Sequence, residues 1–594
     1  MAWFSIVDIS EGKKIRVKAT ILCFFASIRC KPLFKNYNYT TSTLYECNKL
    51  HTFYMSKKLI LTFGITILLV SCASIEKHNL QVTQLHSVEN LHEDIDKAYK
   101  QLQRHHPRLY QFTSKGVLDF KFDSLKKAIN KPMDSRTFYK QLATVTKHVG
   151  QGHLSISPPS VKLNKEDRNE QVVWRFDINY LSFEYLDDTL IVTDAVGKDS
   201  VLINAEVLKI ENEIPQDLIK KYKNLITADG YNTTFHNRVV GTRFMRYYTY
   251  DKGRFDSISL TLKNADSTFI KKYVRRPLRD SLQIQMDSIK RDSLKVVQKT
   301  KVKRTKAERK AKKIEQKAKR KRNSKYGFVP TQHMPEVKNY TRSLNFIGKD
   351  STVAIVKIKG FQNGKFEDFY DDTFTIVDSL KTQTLIIDLR NNFGGRLEEI
   401  DYLYSYLTDE NYTFINKSES NTRFPILKSL MSNSNSLGTK VFVGLLSPGL
   451  AIADILRVSK KDGKLYRSFN SSKEQEPKLL NFKGKVYVLI NGNSFSASSV
   501  LSSQLHGTSR ATFVGEETGG AYNGTVAGLF KIYQLPHTKV QVRIGLLQLD
   551  TKQKTDIDGY GIKPDVEILP TYQDRLNNID PELDWILKDI ETQK

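Results

Sequence analysis

The chain has 594 residues, too many for one hydrophobic core, so about two to four domains are expected. Its hydrophobic content of 39% and charged content of 26% fit a soluble globular protein. The net charge is +29, but about half of the excess lies between Lys290 and Lys325, where about 18 basic residues accompany about 3 acidic ones. The positive charge is therefore local, and it does not indicate a nucleic-acid-binding fold.

The cysteines are confined to the first 72 residues. They are Cys23, Cys30, Cys47 and Cys72. The large remainder of the chain therefore has no internal disulfide, no cysteine nucleophile and no thiolate metal site.

Residues 55–72 have the pattern of a secretory signal. A basic start at Met55 is followed by the apolar run Leu59–Val70, which is too short for a membrane-spanning helix of about 20 residues. The sequence Leu69-Val70-Ser71-Cys72 resembles a bacterial lipobox, which implies cleavage before Cys72 and lipid attachment to its sulfur. The alternative is an internal apolar helix with a chance cysteine.

The residues around this signal lead to two further expectations. Residues 1–54 show no domain pattern, and we interpret them as an over-extended reading frame that precedes the true start at Met55. Ala73 and Ser74 lack the aspartate associated with inner-membrane retention. The expected location is therefore the outer membrane of a bacterial cell envelope, facing the periplasm or the surface.

The next segments are predicted to be a polar tether (73–85) and a helical domain (86–160). In the helical domain, apolar residues recur at three- and four-residue spacing. It ends in a glycine-containing turn, Gly150-Gln-Gly152-His153, and a strand follows. His153 at this junction is a candidate for a cleft; His148 and a plain surface histidine are the alternatives.

Residues 161–276 are predicted to form a β-rich domain with one helix. The strand Val207–Ile214 followed by a helix at Gln216–Tyr222 resembles the PDZ-like modules of some proteases, although the usual glycines are missing. A small β domain without a peptide groove is the alternative.

Residues 277–335 form a basic insertion, predicted to be a projecting helix or disordered, because basic side chains on every face leave no apolar stripe to bury. Contact with an anionic surface is one interpretation; a solvated insertion without a specific partner is the other.

From about residue 336 to 575 strands and helices alternate, which predicts a mostly parallel sheet with right-handed crossovers. The strands are predicted at 353–358, 384–389, 486–490 and 511–514, with helices at 366–380, 397–407 and 498–505. An irregular insertion covers about 410–480, β-rich pairs follow at 528–549, and a C-terminal helix is predicted in 576–594.

Two loops of this region carry candidate chemistry. Ser496 follows a buried strand and precedes a helix, where backbone N–H groups favour a developing negative charge. Asp388-Leu-Arg-Asn-Asn-Phe-Gly394-Gly395 ends another buried strand, and its glycines permit close approach of a backbone N–H to a ligand. Taken singly, the first is also explained by helix capping through Ser494, Ser496 or Ser498, and the second by a tight turn.

Four motifs together resemble the S41 peptidases, the tail-specific and tricorn-type serine proteases with a ClpP/crotonase-like core. They occur in the family's order and spacing: Ile387-Asp-Leu-Arg-Asn-Asn-Phe-Gly-Gly395, Ser494-Phe-Ser-Ala497, Gly515-Glu-Glu-Thr-Gly-Gly520 and Gly559-Tyr-Gly-Ile-Lys-Pro-Asp565. The resemblance covers about 88–570 and is strongest over 350–570. It implies an α/β fold, Ser496 as nucleophile, and an oxyanion hole from the N–H groups of Gly395 and Ala497.

The sequence departs from the processing-protease branch at the general base. That branch has a lysine where this chain has Ala521. The tricorn-like and retinoid-binding-protein-like branch takes its base from a Gly-His motif, which Gly152-His153 matches. A carboxylate precedes the last motif there; Asp558 holds that place, where Glu is more usual, and Asp556 is the nearby substitute.

The resulting prediction is a lipid-anchored serine endopeptidase of exported proteins, with His153 as base and Asp558 orienting its ring. No cofactor, metal or nucleic acid is expected; the partners are a polypeptide substrate and, through Cys72, a membrane. One alternative is an inactive S41-like lipoprotein that binds peptides or hydrophobic ligands. Another is a scaffold that acts through the basic insertion.

Overall fold

A computed structural model describes residues 75–162, 174–277, 305–329, 339–348 and 350–593. The described residues do not include the predicted over-extension (1–54) or the predicted signal with Cys72. They also do not include residues 278–304 and 330–335 of the basic insertion.

The N-terminal region is helical, as predicted. Its helices are α1 (Ile75–Thr83), α2 (Val88–His105), α3 (Lys115–Ala128) and α4 (Ser135–Thr146). Ser87, Ser114 and Asp134 cap the last three through hydrogen bonds to backbone N–H groups of the first turn. The predicted tether differs from the structure: most of it is α1, and Gln81 on that helix donates to the carbonyl oxygens of Pro536 and His537.

The β-rich domain is a five-stranded antiparallel sheet. Its strands run in the order β3 (Ser182–Leu186), β4 (Thr189–Asp194), β5 (Glu206–Ile210), β6 (Ser257–Asn264) and β7 (Ser267–Val274). Three helices follow β5: α5 (Pro215–Lys223), α6 (Thr234–Thr242) and α7 (Phe244–Lys252). Helix α6 lies so close to edge strand β3 that a Cβ at Gly241 would be 2.5 Å from the Tyr185 nitrogen. No peptide fits between the two at this point.

Two short strands, β1 (Ser155–Ser157) and β2 (Trp174–Arg175), precede that sheet, and β2 pairs with β8 (Arg276–Pro277). The described part of the basic insertion contains helix α8 (Lys306–Lys325), which has a Thr305–Glu308 capping box and no buried residue. The prediction of a helix that buries no apolar stripe is confirmed for these residues.

The region from 336 to 575 contains a six-stranded, mostly parallel sheet, as predicted. Its order is β21 (Val566–Glu567), β18 (Thr512–Gly515), β17 (Lys485–Ile490), β11 (Thr384–Asp388), β10 (Val353–Ile358) and β9 (Arg342–Ile347). Only β9 is antiparallel to its neighbour among these described strands. The helices that accompany it are α9 (Phe366–Ser379), α10 (Leu397–Tyr404) and α13 (Ala497–Gly507).

A second sheet brings the N-terminal region to this core. Strand β1 pairs antiparallel with β20 (Gln541–Asp550), and β20 pairs with β19 (Gly524–Gln534) and β13 (Ser418–Ser420). The 410–480 insertion extends the sheet by β15 (Lys464–Arg467) and β14 (Val458–Lys461), and it adds the short pair β12 (Tyr412–Thr413) and β16 (Glu474–Gln475).

The same insertion carries helices α11 (Pro425–Leu430) and α12 (Leu437–Ile455). Helix α12 is long and apolar enough to cross a membrane by length and composition, and only 11% of its apolar window is buried. The sequence predicted only an irregular insertion over these residues. After the core, α14 (Tyr572–Leu576) and α15 (Pro581–Thr592) end the described chain, and α15 confirms the predicted C-terminal helix.

Candidate active site

Ser496 lies between the end of β17 and the start of α13. Its backbone angles, φ 59° and ψ −119°, are a conformation that residues other than glycine rarely adopt. Ser496 makes no capping hydrogen bond with the helix that follows it. Its side chain is therefore held at a strained strand-to-helix turn without serving as a helix cap.

The structure separates Ser496 from the neighbouring serines. The Ser494 hydroxyl donates to the Leu389 carbonyl oxygen at 2.8 Å, and the Ser498 hydroxyl donates to that of Asn392 at 2.8 Å. Both are buried and occupied in tying the two candidate loops together. Ser496 alone of the three has its hydroxyl against a histidine.

That histidine is His153, whose Nε2 lies 3.0 Å from Ser496 Oγ. The residue follows the turn at Gly150 (φ 66°) and immediately precedes Leu154 and β1, so the β1–β20 pairing fixes its position. Its ring stacks on Phe495 (centroids 4.6 Å apart) and on Phe530 (5.7 Å). His148, the alternative candidate, lines a different cavity.

The other ring nitrogen is connected to a buried carboxylate through a threonine. His153 Nδ1 is 3.2 Å from Thr525 Oγ1, and Thr525 Oγ1 is 3.3 Å from Asp229 Oδ1. An ionised carboxylate only accepts, so the threonine donates to Asp229 and accepts from Nδ1–H. This order leaves Nε2 unprotonated and able to accept the Ser496 proton.

Asp229 is held in place by further hydrogen bonds. Its carboxylate accepts from the N–H of Gly152 at 2.6 Å and from the N–H of Ala521 at 3.3 Å. A Cβ at Gly152 would lie 2.8 Å from the Phe495 ring and 3.2 Å from Asp229 Oδ1. The glycine before His153 is therefore required by this close approach.

Asp558 does not contact His153, which corrects the expectation of a direct bond between them. Its carboxylate accepts from Gln111 Nε2 at 2.8 Å and from the Gly559 N–H at 2.9 Å. Gln111 in turn accepts from Gln151, two residues before His153. Asp558 thus braces the histidine loop at a distance, and Asp556 is exposed. These two donors engage the Asp558 carboxylate. The carboxylate that Thr525 connects to His153 is that of Asp229.

Sequence reasoning missed Asp229 and Thr525. Asp229 follows α5 in the β-rich domain, and Thr525 is the second residue of β19, about 300 residues away. Neither belongs to a motif, and only the fold brings them together. In the sequence, Asp229-Gly230 indicates only a turn; in the structure, Gly230 (φ 57°) packs on the backbone of Gly559.

Burial shifts the pKa values of the two titratable groups in opposite directions. It raises the pKa of Asp229 to about 6, because a desolvated carboxylate is disfavoured, although the three hydrogen bonds to it act against that rise. It lowers the pKa of His153 to about 3, with a smaller contribution from the positive charge of Arg543. At neutral pH the site therefore holds a neutral imidazole and an ionised Asp229.

The loop with the predicted oxyanion-hole residue Gly395 packs beside Ser496. A Cβ on Gly394 would lie 2.7 Å from the Ala497 nitrogen, so this loop packs directly on the start of α13. Gly395 has φ 152°, and Phe361 holds both of its neighbours: the Phe361 N–H donates to the Gly394 carbonyl oxygen, and the Phe361 carbonyl oxygen accepts from the Arg396 N–H. Within the described chain, the N–H groups of Gly395 and Ala497 donate to no backbone or side-chain acceptor. Two donors are therefore available to an oxyanion.

These groups line a cleft of about 860 Å³. No lysine is among its lining residues in the described chain, and Ala521 is buried with its N–H on Asp229. Among the described residues, His153 is therefore the titratable side chain that contacts the Ser496 hydroxyl. Among the described residues, no group of three or more His, Cys, Asp or Glu side chains is arranged to hold a metal.

Comparison with known proteins adds the family. Residues 352–568 match the model of peptidase family S41. The chain carries an S41 peptidase domain. This segment includes Gly395, Ser496 and Thr525, whereas His153 and Asp229 come from the preceding domains.

Solved structures similar to the whole chain agree with this fold. The structure of mature CPAF complexed with lactacystin has a TM-score of 0.53 at 15% identity, with 85% of this chain and 98% of that chain covered. The crystal structure of mature CPAF has a TM-score of 0.50 at 15% identity, covering 84% and 96%. At such low identity the likeness concerns the fold. No curated protein matches the sequence at a significant level.

Proposed function

We propose that this S41 peptidase is a serine endopeptidase in which Ser496 is the nucleophile and His153 the general base. The observation that carries the proposal is the 3.0 Å contact between His153 Nε2 and Ser496 Oγ at a strained turn. The two unengaged N–H groups beside it support the same reaction, since attack on a carbonyl creates an oxyanion that needs donors.

In the proposed mechanism, Ser496 Oγ attacks the carbonyl carbon of the scissile bond while its proton moves to His153 Nε2. The oxyanion accepts hydrogen bonds from the N–H groups of Gly395 and Ala497. When the C–N bond breaks, the imidazolium returns that proton to the leaving amine, and a serine ester remains. Water then attacks the ester with His153 again as base, which releases the acid and restores Ser496.

Thr525 and Asp229 support the imidazolium step. Burial and Arg543 disfavour a positive ring, as the lowered pKa of His153 indicates. The hydrogen-bonded path from Nδ1 through Thr525 to the Asp229 carboxylate offsets this cost and keeps the ring in the tautomer that accepts from Ser496. Asp229 therefore takes the orienting role that the sequence assigned to Asp558.

Hydrolysis of an unfolded polypeptide, such as casein, tests the proposal. The Ser496→Ala variant is expected to lose hydrolysis. Ser502→Ala is the matched control, because this buried hydroxyl of α13 has no hydrogen-bond partner in the described chain. If Ser496→Ala hydrolyses casein like the wild type, the proposal is wrong. If the folded wild type binds peptides without cleaving them, the chain is instead a binding protein.

We further propose that the protein is exported and lipid-anchored through Cys72 in a bacterial cell envelope, acting on exported polypeptides. The support is the basic start, apolar run and Leu69-Val70-Ser71-Cys72 sequence. Incorporation of labelled palmitate by the full chain in a bacterial host, with Cys72→Ser as control, tests the anchor. Equal labelling of both proteins, or of neither, contradicts it.

A further inference from the structure

Two half-buried arginines of the cleft have no carboxylate partner in the described chain. Arg243, between α6 and α7, and Arg543, on β20, both line the cavity that contains Ser496 and His153. Both are only partly exposed. Of the other cleft arginines, Arg396 pairs with Glu399 at 2.6 Å and Arg467 with Asp454 at 2.7 Å, whereas Arg246 is exposed to solvent.

The two guanidinium groups are held by aromatic rings and not by acids. That of Arg243 lies 3.8 Å from the centroid of the Phe393 ring, beside the Gly394–Gly395 loop. That of Arg543 lies 3.4 Å from the centroid of Phe530 and donates from Nη1 to the His153 carbonyl oxygen at 3.0 Å. The side chain of Arg243 donates to no acceptor in the described residues, so its guanidinium donors stay available to a ligand.

Such an arrangement is energetically costly. Partial burial of a cation without a counter-charge incurs desolvation, which the ring contacts and the single carbonyl hydrogen bond offset only in part. The effect appears in both side chains: burial lowers the pKa of Arg243, and burial together with the nearby charge of Arg243 lowers that of Arg543 to about 10. A bound anion would relieve both costs.

We propose that Arg243 and Arg543 form a carboxylate-binding subsite that selects substrates with an anionic group near the scissile bond. This inference rests on the proposed peptidase function and names its substrate class. A carboxylate fits because guanidinium groups bind it in bidentate geometry. It comes from an Asp or Glu side chain or from the C-terminus of the substrate. Glu398, the acidic residue that lines the cleft, is exposed and forms no ion pair with either arginine.

The subsite also bears on catalysis. Arg543 is one cause of the lowered pKa of His153. A carboxylate beside Arg543 would neutralise that influence and favour the imidazolium that forms when Ser496 attacks. Acidic substrates are therefore expected to have a higher kcat as well as a lower KM.

Matched peptides test the subsite. Sites cleaved in casein are identified by mass spectrometry, and amidated peptides around one site are made with Glu or Gln at each flanking position. A second pair differs only in a free or amidated C-terminus. For the wild type, kcat/KM is expected to favour the carboxylate member of one pair by about tenfold or more. The pair that responds identifies the source of the carboxylate. A ratio near one in every pair overturns the inference.

Variants assign the ratio to the two arginines. Arg243→Gln and Arg543→Gln are each expected to reduce it toward one, while Arg246→Gln, an exposed arginine of the same cleft, leaves it unchanged. If Arg543 merely positioned His153, its loss would lower kcat for both peptides of a pair and preserve the ratio. That result in both variants contradicts the subsite.

A binding measurement keeps this inference separable from the peptidase proposal. Calorimetry with Ser496→Ala compares the same peptides without catalysis. Tighter binding of the carboxylate member, lost in Ser496→Ala/Arg243→Gln, supports the subsite even if no peptide is cleaved. Hydrolysis without any preference in rate or binding refutes the subsite and leaves the peptidase intact.

Discussion

The role of Asp229 gives the sharpest pH prediction. Its carboxylate is 1% exposed, has a pKa raised to about 6, and reaches His153 through Thr525. In the Asp229→Asn variant, the hydrogen bond from Thr525, which connects this residue to the His153 ring, no longer ends on a charged group. A hydrogen bond to a charged group contributes about 1.5–3 kcal/mol. The expected fall in kcat/KM at neutral pH is therefore about 10- to 100-fold.

The pH dependence follows from the directions of the two shifts. Asp229 is ionised above about pH 6 and protonated below it, whereas His153, with a pKa of about 3, stays neutral throughout that window. Wild-type kcat/KM should fall below pH 6 and retain about a tenth of its plateau one pH unit lower. Asp229→Asn should be slower and should lack this acid limb.

Stability should change in the same window with a defined sign. The folded pKa of Asp229 lies above its ordinary value of 3.8, so the folded state holds the extra proton and loses stability as pH rises from about 4 to 6. Because the pKa of Asp229 is raised from 3.8 to about 6, the loss in the free energy of unfolding across this pH range is about 3 kcal/mol. Urea unfolding should therefore show Asp229→Asn gaining stability relative to the wild type between pH 4 and 7.

The assay is the pH profile of kcat/KM for the wild type, Asp229→Asn and the exposed-site control Asp556→Asn. The control should reproduce the wild-type profile. If Asp229→Asn retains an acid limb near pH 6, that limb belongs to His153 and the assignment of Asp229 is wrong.

Three further substitutions give separate tests. Thr525→Val removes both relay hydrogen bonds and should lower kcat by about tenfold with little change in KM, measured by steady-state kinetics; an unchanged kcat would refute the relay. Ser496→Gly should raise the free energy of unfolding above that of Ser496→Ala by about 1–3 kcal/mol, because glycine tolerates φ 59°; equal urea midpoints would contradict strain at the turn. Arg342→Gln breaks a fully buried pair with Glu399 and should cost about 3–5 kcal/mol by thermal or urea unfolding; a loss below about 1 kcal/mol would contradict its burial.

The parallel core was predictable because its strands are buried on both faces and read as apolar runs. The strand predicted at 353–358 coincides with β10, those of β11 and β17 differ by one residue at one end, and that of β18 is shifted by one residue. The short strands of the 410–480 insertion were not predicted. Their residues are polar, and β13 is stabilised by pairing with β15 and β20, which no local pattern records.

The residues of the candidate site also differ in whether the sequence predicts them. Ser496, Gly395 and Ala497 lie in motifs next to core strands, so sequence order already places them close together. His153 was found from a two-residue motif and is brought to Ser496 by the pairing of β1 with β20. Asp229 could not be found, because a buried carboxylate after a helix has no pattern that distinguishes it from an exposed one.

The central claim is that Ser496 is a nucleophile activated by His153. Labelling with a serine-directed fluorophosphonate, followed by mass spectrometry of the modified peptide, tests it most directly. The account predicts a phosphonate on Ser496 in the wild type, slower labelling in His153→Ala, and none in Ser496→Ala. A folded wild type that is not labelled, or labelling that persists in Ser496→Ala, would contradict it.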